Sequence, residues 1–207
     1  MNERFKIKVC GMRDEGNIRQ LSQLPIHYMG FIFYPKSPRY AGEMPVRTIL
    51  QVAQPIKKVG VFVNASVDEV ITFYDRYRLD LVQLHGYESP DFCFTLKNKG
   101  IPVVKSFAAK DITLSQTSSY QHVCDYFLFD TPTSQYGGSG KKFDWSVLQR
   151  IEVPLPFFLS GGLGPDDVQD IQQFNHPQFF AIDINSRFEI QPGMKDIGLI
   201  KRFIERL

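Results

Sequence analysis

Short apolar runs recur along this chain at a spacing that leaves few folds open. They are Phe5-Lys6-Ile7-Lys8-Val9-Cys10, Tyr28-Met29-Gly30-Phe31-Ile32-Phe33, Lys58-Val59-Gly60-Val61-Phe62-Val63, Leu81-Val82-Gln83-Leu84, Pro102-Val103-Val104-Lys105-Ser106-Phe107, Tyr126-Phe127-Leu128-Phe129, Phe157-Phe158-Leu159 and Phe179-Phe180-Ala181-Ile182-Asp183-Ile184. Their starts lie roughly 20 to 30 residues apart, the span in which a strand crosses over through a helix and returns parallel. Helix starts fall between them. Asp14 and Asn17 open a polar-apolar stretch to Leu24, Asn64 or Ser66 can cap a helix with Val67, Val70, Ile71 and Tyr74 on one side, and Ser89-Pro90-Asp91 opens another. Asp111 to His122 is polar and only weakly periodic. Eight strand-helix units in 207 residues imply a minimal closed (β/α)8 barrel, the TIM barrel, with an open doubly wound sheet as the alternative. No linker or low-complexity run interrupts the rhythm, so residues 1–207 are expected to form a single domain.

With 43% hydrophobic residues the chain can bury one large core. Its 24 basic and 22 acidic residues nearly cancel along the sequence, which leaves no footprint for nucleic acid or an anionic membrane. Cys10, Cys93 and Cys124 are an odd number at wide spacings, which argues against a disulfide framework or a zinc site and fits a reducing cytoplasm. The start, Met1-Asn2-Glu3-Arg4-Phe5-Lys6, lacks an apolar signal core, and no long apolar segment follows. A cytoplasmic protein is expected.

In such barrels chemistry gathers where strands end, and phosphate binds near the last two strands. The stretch Phe157 to Asp167 reads as strand, glycine turn and helix start with Pro165 in the first turn. Its bare backbone donors and helix N-terminus would suit an anion, although an ordinary connection reads the same. Polar groups at the other strand ends each carry two readings. Cys10 is a small buried apolar residue or a thiolate in an electropositive mouth. Asp130 caps a turn, pairs with Lys141 or Lys142, or acts in catalysis. Arg39, in the loop Tyr34-Pro35-Lys36-Ser37-Pro38-Arg39-Tyr40, is a solvated cation or a two-pronged clamp for a carboxylate. If Lys105 and Phe107 face inward, Lys105 could form a Schiff base with a sugar phosphate and take Asp130 as its partner. His85 reads as a hydrogen-bonded mouth residue, since no second histidine or cysteine sits at metal-ligand spacing. Asp183 closes the eighth strand.

Taken in order, several of these pieces resemble a known family. They include Lys8-Val9-Cys10-Gly11, Gly30 to Tyr40, Val59 to Asn64, Val82-Gln83-Leu84-His85-Gly86, Phe129-Asp130-Thr131, Gly137-Gly138-Ser139-Gly140-Lys141, Phe143-Asp144-Trp145, Leu159-Ser160-Gly161-Gly162-Leu163 and Pro192-Gly193-Met194-Lys195-Asp196. The family is phosphoribosylanthranilate isomerase of tryptophan biosynthesis. The resemblance implies an Amadori rearrangement without metal or cofactor, N-(5-phosphoribosyl)anthranilate becoming 1-(2-carboxyphenylamino)-1-deoxyribulose 5-phosphate. By that likeness Asp130 is the general acid, Cys10 the base, and Arg39 the receiver of the anthranilate carboxylate. His85 and Asp183 look like further substrate contacts, while Gly161, Gly162, Asn185 and Ser186 look like the phosphate site. The partner implied is a small phosphoribosyl compound, acted on by a monomer or homodimer. One departure stands out. Where the family often has Ser-Ser-Gly after the eighth strand, this chain has Asn185-Ser186-Arg187, so either Asn185 takes a left-handed conformation or Arg187 adds charge near the phosphate. Two other readings remain: a Schiff-base aldolase using Lys105, and a phosphosugar binder without catalysis.

Overall fold

Eight parallel strands join edge to edge into a closed barrel in the computed structural model, which describes residues 4–109, 112–131 and 144–207. They are β1 (Lys6–Val9), β2 (Tyr28–Ile32), β3 (Lys57–Phe62), β4 (Leu81–Leu84), β5 (Val103–Ala108), β6 (Tyr126–Asp130), β7 (Phe157–Leu159) and β8 (Phe179–Ile184). Each pairs with its neighbour in sequence, and β8 closes the ring on β1 in the register Lys6↔Ala181, Lys8↔Asp183. The expected closed barrel is therefore the fold, and the open sheet is excluded.

Helices α1 (Glu15–Leu21), α2 (Val46–Leu50), α3 (Val67–Tyr77), α4 (Pro90–Asn98), α5 (Leu114–Ser118), α6 (Ser146–Gln149), α7 (Val168–Gln173) and α8 (Ile197–Arg206) alternate with the strands. Caps set several starts: Asp14, Ser66, Ser89 and Asp196 each accept a backbone N–H from the first turn. Ser66, not Asn64, caps α3. The weak segment after β5 yields only the five residues of α5, and α2 falls where sequence periodicity gave no signal. A two-stranded hairpin, β9 (Glu189–Gln191) with β10 (Met194–Lys195), follows β8.

Side-chain alternation along the strands divides the core. Tyr28, Val59, Leu81, Val104, Leu128, Phe158 and Ala181 pack inside the barrel. Their neighbours, such as Val103, Phe127, Phe129 and Phe157, face the helices in a much larger outer layer. Because both faces are covered, burying one such phenylalanine contributes roughly 1.5–3 kcal/mol, and Leu128→Ala should cost about 2–5 kcal/mol. Above the inner layer, Cys10, Ile32 and Val61 line the mouth.

Candidate active site

One cavity opens at the strand ends. Its walls include Cys10, Gln83, His85, Asp130, Asp183, Gly161, Gly162, Asn185 and Ser186. Residues from β1, β4, β6, β7 and β8 thus converge although the sequence scatters them. Among the described residues no group of three or more His, Cys, Asp or Glu is placed to hold a metal ion, and no helix is long and apolar enough to cross a membrane.

At the floor, Lys8 Nζ donates to both carboxylate oxygens of Asp183 at 3.0 Å. Both groups are buried. Burial alone would lower the lysine, but the Asp183 carboxylate and Cys10 outweigh it and hold Lys8 above its ordinary value. Burial raises the Asp183 carboxyl while the ammonium opposes it, and with Nζ equidistant from the two oxygens the ionised pair is the favoured form. One step up β1, Cys10 packs over bare backbone: a Cβ at Gly30 would lie 2.7 Å from its Sγ. Burial pushes this thiol above its ordinary value against the pull of Lys8, so the resting group is a thiol.

Asp130 ends β6. Its Oδ1 accepts the Thr131 N–H at 2.7 Å, and its Oδ2 lies 3.5 Å from His85 Nε2. The far imidazole nitrogen, Nδ1, lies 3.0 Å from the side-chain nitrogen of Gln83. Lys141 and Lys142, the partners considered for Asp130, lie outside the described residues, as does the Gly137 to Lys141 motif.

On the facing side the turn after β7 carries Gly161 at φ +90° and Gly162 at φ +71°. Gly161 must lack a side chain, since a Cβ there would meet Thr131 Oγ1 at 2.5 Å and Thr131 N at 2.7 Å. The N–H groups of Gly161, Gly162, Asn185 and Ser186 donate to no described residue, and all four residues line the cavity. The helix comes later than the sequence suggested. Pro165 lies in a turn, Asp167 precedes α7, and the Gly164 N–H is already taken by Asp167 Oδ2 at 2.7 Å. The N–H groups that face the cavity here without a described partner are thus turn amides, and none of the four belongs to α7.

Two expectations need correction. Arg39 is no solvated cation: it is 7% exposed, lies outside the cavity wall, and Glu189 engages its fork with Nε–Oε1 at 2.9 Å and Nη2–Oε2 at 2.6 Å. Lys105 faces away from the lumen. Its ammonium is held by Glu88 Oε2 at 2.9 Å and Gly86 O at 2.7 Å, and Phe107 packs on Tyr120 and Phe127 in the outer layer. Asp130 is not its partner, and no lysine among the described residues lines the cavity wall.

Comparison with known proteins settles the lineage. Residues 7–206 match the family described as N-(5'-phosphoribosyl)anthranilate (PRA) isomerase. The chain belongs to that isomerase family. The N-(5'-phosphoribosyl)anthranilate isomerase of Parabacteroides distasonis is 46% identical over 205 residues, covering 97% of this chain and 92% of that one. Among solved structures, the phosphoribosyl anthranilate isomerase of Thermotoga maritima is 32% identical and superposes with a TM-score of 0.81 over 98% of each chain. Another phosphoribosyl anthranilate isomerase, crystallised with reduced 1-(o-carboxyphenylamino)-1-deoxyribulose 5-phosphate, is 29% identical with a TM-score of 0.78 over 98% of this chain and 97% of that chain. This chain is accordingly an isomerase of tryptophan biosynthesis with a TIM barrel.

In the turn directly after β8 neither Asn185 nor the residues Ser186 to Phe188 take a left-handed conformation. Asn185 has φ −147°, and Ser186–Phe188 forms a short 3₁₀ turn. Arg187 lays its guanidinium over the turn after β7, with Nη2 3.2 Å from where a Gly164 Cβ would be. Gln83, Ser160 and Lys8 also shape the site but were not singled out from the sequence as site residues. Gln83 had a usable signal, because alternation on β4 puts it on the same face as His85.

Proposed function

We propose that this chain carries out the isomerisation of N-(5-phosphoribosyl)anthranilate with Asp130 as general acid and Cys10 as general base. The observation that carries this reading is that a carboxyl and a thiol from well-separated strands face one cavity whose other wall is backbone amide that donates to no described residue. Asp130 gives its proton to the ring oxygen as the C1–O bond breaks and the anilino nitrogen forms an iminium. The iminium acidifies C2–H, so a thiolate of moderate basicity can take that proton. The electron pair then neutralises the nitrogen as an enolamine. Return of the thiol proton to C1, with loss of the 2-hydroxyl proton to the Asp130 carboxylate, yields the ketone and restores both groups.

Gly161, Gly162, Asn185 and Ser186 supply N–H donors for the substrate phosphate. Lys8, held by Asp183, offers a positive charge that favours the Cys10 thiolate. Arg39 receives the anthranilate carboxylate by exchange with Glu189, which keeps Lys195 Nζ at 2.6 Å and the Gly193 N–H at 3.0 Å when the guanidinium turns away. The described site residues lie on one chain of 207 residues, read as one cytoplasmic domain, so a monomer or homodimer serves equally, and the proton transfers as written use no cofactor.

The test is the decay of substrate fluorescence with purified protein. Cys10→Ala and Asp130→Asn should each lower kcat by about two to four powers of ten. Near-normal turnover in both variants would remove the assigned roles, and binding of a reduced product analogue without any turnover by the unaltered chain would favour a pure binder.

A further inference from the structure

The hairpin after β8 carries a motif to which the chemistry has given no role, Pro192-Gly193-Met194-Lys195-Asp196. Strand β9 runs out, β10 runs back, and the turn returns Lys195 to a residue ten places earlier, Asn185. Lys195 is 1% exposed and lies outside the cavity wall, so it does not meet a ligand there. It is an anchor instead. Asn17 of α1 binds its main chain from both sides, accepting the N–H at 2.8 Å and donating to the carbonyl at 2.9 Å. Its Nζ donates to Glu189 Oε1 at 2.6 Å and to Asn185 Oδ1 at 2.6 Å.

We propose that Lys195 is a positioning residue, which grips the Asn185 side chain and so aims the Asn185 and Ser186 N–H groups at the substrate phosphate. The inference rests on the reading of those two amides as phosphate donors. Asn185 stands between them: its φ turns the peptide that bears its own N–H, and its ψ turns the peptide that bears the next. Its carbonyl and side-chain oxygens are both committed. The carbonyl accepts the Phe188 N–H at 3.1 Å, and the side chain lies between Lys195 and bare backbone, since a Cβ at Gly11 would sit 2.8 Å from Oδ1. With the residue pinned at two points, both N–H groups keep their direction toward the cavity that Asn185 and Ser186 line.

An ammonium suits this task, because a hydrogen bond from a charged donor is roughly twice as strong as a neutral one. It also serves when the far end of the substrate binds. If Arg39 leaves Glu189 for a carboxylate, Lys195 and the Gly193 N–H keep Glu189 in place, so the hold on Asn185 outlasts the exchange. Donors held in place need no ordering when the phosphate arrives. Freeing Asn185 should therefore weaken phosphate binding about five- to thirtyfold, the cost of ordering the backbone of one residue.

Inorganic phosphate titrated into the intact protein, followed by backbone ¹H–¹⁵N signals, tests this without turnover. In the unaltered protein the amide protons of Gly161, Gly162, Asn185 and Ser186 should move downfield together. Lys195→Met and Asn185→Ala should each weaken the phosphate affinity about five- to thirtyfold, and the double variant should lose no more than the worse single one, because both cut the same link. Asn185→Ala keeps the Lys195–Glu189 ion pair, so it decides the matter where Lys195→Met is too unstable to titrate. Additive losses, or parent-like affinity in Asn185→Ala, would overturn the proposal. Lys105→Met breaks a buried ion pair elsewhere and should keep the parent affinity; an equal loss there would mean general loosening and would overturn it too. If Gly161 and Gly162 respond to phosphate while Asn185 and Ser186 do not, the role of Lys195 falls and the turn after β7 stands as the phosphate site. If none of the four responds, both readings fall, while the turnover of Cys10→Ala and Asp130→Asn still judges the acid and the base.

Discussion

Lys8 Nζ lies 3.0 Å from each carboxylate oxygen of Asp183, so the first and last strands of the barrel are joined by a buried ion pair directly beneath the Cys10 thiol. Lys8→Met would leave Asp183 charged and alone. Chemical denaturation should show a loss of about 3–5 kcal/mol, and adding Asp183→Leu should recover most of it. A single variant as stable as the parent would mean the pair is not ionised.

Cys10 should alkylate as a thiol with a raised titration. Since the thiolate is the reactive form, the iodoacetamide rate at this residue should climb about tenfold per pH unit through pH 7 to 8.5, and a product analogue should suppress it. kcat/KM should rise with pH over the same range, because the base must lose its proton. A fast rate already independent of pH at 7 would show a thiolate at rest.

Arg39→Lys separates two roles for one guanidinium. If Arg39 grips the substrate carboxylate, KM should rise at least about tenfold with kcat within about threefold, because lysine cannot form the two-pronged contact. If the residue serves only Glu189, thermal stability will fall and KM will not move.

Lys105→Met should destabilise the protein by about 3–5 kcal/mol, since Glu88 stays buried behind the Asn64 and Gly86 N–H groups that it accepts at 2.8 and 3.0 Å. Borohydride added during turnover should leave no adduct on this lysine. A trapped adduct would revive the aldolase.

Gly161→Ala should disturb acid and phosphate sites together. The added methyl would meet Thr131 N at 2.7 Å and Asp130 Oδ1 at 3.2 Å while forcing alanine to φ +90°. A stability loss of about 1–3 kcal/mol, a higher KM and a lower kcat are expected. Parent-like steady-state kinetics would detach the turn from the site.

The strands were legible because each apolar run is bounded by turn residues, and Cys10, His85, Asp130 and Asp183 followed as their terminal polar groups. Facing was harder. Val103 and Val104 are both buried, so β5 shows no alternation to fix its phase, and an inward Lys105 stays open in the sequence although Ser106 holds that side. The Arg39–Glu189 contact spans 150 residues and leaves no local trace. The start of α7 was misplaced because Pro165 suits a turn as well as a first helical residue. Gln83 shares a strand face with His85, a signal that a glutamine amid valine and leucine easily hides.

Closure of β8 on β1 has a consequence for synthesis. A nascent chain reaches residue 130 with both proposed proton-transfer groups already made, yet Lys8 still lacks its counterion and the ring stays open along the edge of β1. Emergence of Asp183 supplies the missing charge and the missing edge at once. The chemistry proposed for Cys10 would thereby be tied to completion of the polypeptide, and a ribosome-stalled fragment ending before the eighth strand should be inert.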